Sequence, residues 1–70
     1  MIKITSSTDL GNLIKQTRKS QNMTQTQLAA ICGVGARFIV DLEKGKQTCV
    51  IEKSLKVLQM LGLNLIITNK

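Results

Sequence analysis

"TQTQLAAICGVGARFIVDLEKGK", residues 24–46, decides the fold. Thr24 followed three residues on by Gln27 is a capping box, the signature of a helix start. Met23 stands where a hydrophobic staple would pack on Leu28. Leu28, Ala29 and Ile31 are the expected inward face of this helix. Cys32-Gly33-Val34 then makes a tight turn, with Gly33 suited to a left-handed backbone. A further helix runs from about Ala36 to Glu43 and stops at Gly45. At ~100° per residue, Leu42, Ile39 and Glu43 share one side of it and Phe38 borders that side. Ala36, Arg37, Val40, Asp41 and Lys44 share the other. One side is core; the opposite side is small, charged and open.

The flanks extend this pair into one domain spanning 1–70. Ile2 and Ile4 alternate with Lys3 and Thr5, a short strand signal. Ser6 is a candidate N-cap with Asp9 three residues on. Leu10, Leu13, Ile14 and Thr17 follow at helical spacing, so a first helix covers about 7–20 and ends at Gln21 and Asn22. Beyond Gly45, Thr48 is the expected start of the last helix. Val50, Ile51, Ser54, Leu55, Val57, Leu58 and Leu61 give it one broad apolar side, and Gly62 stops it. "LNLIITNK" then alternates, with Leu63, Leu65 and Ile67 on one face, predicting a C-terminal strand over 63–68. The expectation is a mainly α domain of four to five short helices with short terminal strands.

Ten Lys and Arg against four Asp and Glu leave a net charge of +6 on 70 residues. In so small a domain this favours a polyanionic partner. With no Trp, no Tyr and a single Phe, the platforms that stack single-stranded bases are missing; duplex DNA held through its phosphates fits better. The absence of His removes the commonest metal ligand, and the two Cys, Cys32 and Cys49, are isolated, so no metal site is expected. Two buried thiols are favoured over a bridge between them. No nucleophile–base pair, phosphate-cradling glycine loop or cofactor motif is present, which argues against an enzyme and assigns no cofactor. The N-terminus has no apolar signal region and the apolar runs are too short to span a bilayer, so the expected location is the cytoplasm.

Two short helices about a glycine turn define helix-turn-helix geometry. The quoted stretch resembles the XRE/Cro-type helix-turn-helix of bacterial and phage repressors, a lambda-repressor-like domain. The matching positions are Thr24-Gln25, Leu28-Ala29, Gly33-Val34, Ile39 and Glu43-Lys44-Gly45. Terminal strands on so short a chain are similar to the HipB-type antitoxins. That resemblance implies a homodimer joined partly through terminal strands, repression of its own operon at a palindromic operator, and binding of a HipA-like Ser/Thr kinase toxin. Kept beside it are a toxin-neutralising module in which DNA binding is secondary, a phage-type repressor, and a nonspecific nucleoid protein.

The major groove admits one helix, whose N-terminal residues reach base edges. Arg37 is the best reader, paired with guanine or holding a phosphate. Ala36 and Val40 touch thymine methyls or leave room for the approach. Asp41 either accepts from a cytosine amino group or holds Arg37 in an i,i+4 pair. Gly35 stands where the family often carries a hydroxyl, so only its backbone N–H is left for phosphate. The resemblance implies that Gln25, beside the cap Thr24, contacts the DNA backbone. Lys44, Lys46 and Thr48 are placed for phosphates. Phe38 packs beside Leu42 or meets the DNA. Arg18 and Glu43 are expected to form a buried ion pair. Val57, Leu61, Leu63, Leu65 and Ile67 are the candidate dimer interface, with an intrachain strand pair as the alternative.

Overall fold

The computed structural model describes residues 2–69, so both end residues of the 1–70 span lie outside it. Four helices follow in order: α1 (Ser7–Ser20), α2 (Gln25–Cys32), α3 (Ala36–Glu43) and α4 (Ile51–Met60). The first three begin where capping chemistry and periodicity predict. Ser6 Oγ accepts from Asp9 N at 3.1 Å. The Asp9 carboxylate reaches past the cap to Thr5, accepting from its N–H at 3.0 Å and its hydroxyl at 2.8 Å. These bonds hold the Asp9 carboxyl below its usual value, the Thr5 backbone bond contributing most. At α2 the capping box is complete: Gln27 N donates to Thr24 Oγ1 (3.1 Å) and Thr24 N to Gln27 Oε1 (2.8 Å).

The turn between α2 and α3 rests on Gly33, whose φ of 69° is left-handed. Gly33 N donates to Ala30 O and Val34 N to Ala29 O, which satisfies carbonyls that α2 would otherwise leave open. Val34 then packs on the core. Asn22 ends α1 in the same way, with φ 60° and Met23 N bonded to Arg18 O.

Ile14, Leu28, Ala29, Cys32, Ile39, Leu42, Val57, Leu58 and Leu61 form the core, with Met23, Phe38 and Leu63 packed against its edge. α1 seats on the end of α3 through Gly11. A Cβ there would stand 2.5 Å from Leu42 O and 2.7 Å from Glu43 O. Alanine is worth roughly 1 kcal/mol more than glycine inside a helix; the close approach of backbone decides against it here. Ser7 Oγ donates to Gly45 O at 2.7 Å, fastening the other end of the same contact.

Four expectations need correction. Thr48 does not open α4: it lies in an exposed turn, and the helix starts at Ile51 with Val50 as a cap that makes no side-chain bond. Cys49 packs on the core between turn and helix, and burying it delays the start. Ile31 is 50% exposed whereas Cys32 is fully buried, so the inner face of α2 is Leu28, Ala29 and Cys32. Similarly, Val50, Ile51 and Leu55 are exposed, leaving Ser54, Val57 and Leu58 as the inner face of α4. Finally, neither Ile2–Thr5 nor 63–68 forms a strand; among the described residues there are none. No backbone ladder joins the two segments, because alternation specifies which side chains share a face but not a partner for the backbone.

No described helix is long and apolar enough to cross a membrane. Cys32 and Cys49 are free thiols, and burial pushes the Cys32 thiol up, keeping it protonated.

Candidate nucleic-acid interface

α3 is held from behind. Ile39 is fully buried, Leu42 is 3% exposed and Glu43 6%. Glu43 anchors the helix through charge as well as packing. Arg18 Nε lies 2.6 Å from Glu43 Oε2 and its Nη2 3.0 Å from Oε1, a bidentate pair. Arg18 Nη1 also donates to Met23 O at 2.7 Å, and the Glu43 carboxylate raises the Arg18 pKa further. Gln25 Nε2 completes the group, donating to Glu43 Oε1 at 3.1 Å. Three elements, α1, α2 and α3, thus meet on one carboxylate.

With that side fixed, the opposite side of α3 faces outward. Ala36 is exposed and Val40 half-buried. The Arg37 side chain is 83% exposed; its Nε lies 3.2 Å from Asp41 Oδ1, four residues on. Lys46 Nζ approaches the other carboxylate oxygen, Oδ2, at 3.4 Å. Asp41 therefore stands between two cations on the open side. Lys44 and Thr48 are exposed beside them in sequence. Gly35, at the start of α3, has φ −71°, makes no side-chain cap and has open space where a Cβ would be.

Several site residues also serve the fold. The Thr24 hydroxyl is engaged in its capping bond. Gln25, half-buried, donates to Glu43 as well as standing at the start of α2. Phe38 packs on the core edge with Lys53 Nζ 5.7 Å from its ring centre, a cation–π distance. Of the five interface candidates, Val57 (0% exposed) and Leu61 (4%) are committed to the chain's own core. Leu63 packs at its edge, while Leu65 and Ile67 are 55% and 87% exposed. Ile2 and Ile66, outside that list, are each 66% exposed. The terminal segments line an apolar groove of about 640 Å³, reached by Ile2, Ile4, Leu63, Leu65, Ile66 and Ile67.

Two short helices around a left-handed glycine, the second anchored inward and basic outward, are the geometry of a helix-turn-helix nucleic-acid-binding domain. A helix-turn-helix family model matches residues 14–66. The chain is 51% identical over 63 residues to the uncharacterized HTH-type transcriptional regulator y4mF of Sinorhizobium fredii, spanning 90% of this chain and 83% of that one. Among solved structures it is similar to the HipB chain of a HipB–O1–O2 complex (TM-score 0.90, 29% identity, 99% of this chain and 100% of the other). It is similarly close to a chain of a HipA–HipB–O2–O3 complex (TM-score 0.89, 29% identity, 99% and 97% covered). The chain belongs to the helix-turn-helix family of DNA-binding transcriptional regulators, of the XRE type.

Proposed function

We propose that this chain is a dimeric, sequence-specific repressor that sets α3 of each protomer into the major groove of a two-fold symmetric operator. The observation that carries this reading is the rotation of α3: Ile39, Leu42 and Glu43 are buried while Arg37 is 83% exposed on the opposite side. Arg37 and Val40 are the base-edge residues, with Ala36 leaving room for approach. Lys44, Lys46, Thr48 and the Gly35 backbone N–H take phosphates. Gln25, at the start of α2, takes a backbone phosphate beside its bond to Glu43.

The dimer reading rests on the termini. Among the described residues no backbone ladder joins them, which leaves backbone groups open to a partner, and their apolar side chains line one groove. A second copy pairing there satisfies both, and brings two α3 helices to successive major-groove faces. The likeness to HipB in a complex with HipA and O2–O3 supports a finer role: an antitoxin that represses its own operon and binds a HipA-like kinase toxin.

A mobility-shift assay with the DNA upstream of the coding sequence tests the repressor reading. A discrete complex is expected, weakened in Arg37→Ala and in Lys46→Ala. Equal affinity for upstream and random duplex would contradict it. Co-purification with the product of an adjacent kinase-like gene, surviving Arg37→Ala, tests the antitoxin role; no association would remove that role.

A further inference from the structure

Asp41 is the one carboxylate on the open side of α3, and the wrong charge for a surface that meets phosphate. It is not idle there: one oxygen lies 3.2 Å from Arg37 Nε and the other 3.4 Å from Lys46 Nζ. Its side chain is only 17% exposed, whereas Arg37 and Lys46 are 83% and 54% exposed. A largely covered carboxylate thus occupies both cations in the free protein.

We propose that Asp41 is a specificity-determining residue that holds Arg37 and Lys46 back from nonspecific phosphate contacts and releases them on the operator. This rests on the reading of α3 as the groove-facing helix. Nonspecific binding is almost wholly electrostatic, built from Lys and Arg on phosphates. There Asp41 acts twice against the complex: it competes for two cations and repels the backbone. On the operator Arg37 gains a guanine edge, and the carboxylate has a cytosine amino group as donor. The same charge therefore costs less on the right sequence than on the wrong one, which is how a repulsive element sharpens discrimination.

Fluorescence anisotropy with the upstream operator duplex and a scrambled duplex of equal composition, each over a salt series, tests this. Wild type is expected to prefer the operator. In Asp41→Asn and Asp41→Ala the scrambled duplex should tighten by roughly fivefold, the scale of one unit-charge repulsion at about 4 Å in water. Its salt slope should steepen by about one, for one more phosphate neutralised. The operator should gain less, so the specificity ratio falls. Two variants separate loss of charge from any new contact made by the Asn amide. A wild-type preference with equal shifts on both duplexes, or weaker scrambled binding in both variants, would overturn the role of Asp41 alone. Absence of any wild-type preference would overturn the groove reading and this proposal with it.

Discussion

Glu43 ties three helices together. Its carboxylate is the shared partner of Arg18 and Gln25, and it is 6% exposed. Glu43→Ala leaves a buried guanidinium without its partner, which costs about 3–5 kcal/mol. Urea denaturation should show that loss. Glu43→Gln, which keeps hydrogen-bonding atoms in place, should lose less. Asp9 acts at the opposite end of the exposure scale. Its pKa is lowered in the fold by its bonds to Thr5, so its contribution is fully present above the unfolded value near 4 and fades as pH falls through the lowered one. Thermal melts between about pH 5 and 2 should lose stability more shallowly in Asp9→Asn than in wild type. The Arg18–Glu43 pair was legible because Glu43 fell on the inward face of its helix and the family resemblance implies an Arg near the end of the first helix. Gln25's bond to the same carboxylate was not, because N1 of a helix looks like an exposed position until α3 is docked beside it.

Among the elements, α1 and α3 have the limits their sequences announce, and the difference at α4 has a physical source. Thr48 has the right side chain to cap a helix, but the chain first tucks Cys49 against the core, and α4 begins at Ile51 without a side-chain cap. In α2, Ile31 and Cys32 are both acceptable partners for Leu28 by spacing; packing against the neighbouring helices picks the smaller Cys32. Gly11 carried a signal in the sequence, an isolated glycine inside a helical pattern, and its reason is the approach of α3's last carbonyls. α3 is the element open to improvement. Gly35 is its N-cap, with backbone angles of −71° and 148° and free space around it. Gly35→Ser should stabilise the domain by about 0.5–1 kcal/mol, from the added cap and a less free unfolded chain. Calorimetry checks this; a fall in Tm would show that Gly35 is needed bare.

For the whole molecule, the terminal segments separate fold from assembly. Alternating Leu63, Leu65 and Ile67 predicted a strand, yet an extended segment becomes one only when another backbone pairs with it. Within one protomer no described backbone does so. Val57 and Leu61, from the helical apolar side of α4, were grouped with them as interface candidates but lie in the core, since periodicity marks what is buried and not against which chain. The two groups should respond differently. Val57→Ala should cost roughly 2 kcal/mol of stability by opening a cavity. Ile67→Lys, at a side chain 87% exposed, should leave the secondary structure by circular dichroism intact and shift sedimentation equilibrium from dimer to monomer. An unchanged dimer in Ile67→Lys would place the interface elsewhere.

The orientation of α3 is the claim on which function depends, and guanine N7 methylation of the upstream DNA reads the major groove directly. Two protected patches about one helical turn (roughly 34 Å) apart on one side of the duplex are expected, both lost in Arg37→Ala. No protection, or protection that survives Arg37→Ala unchanged, would contradict it.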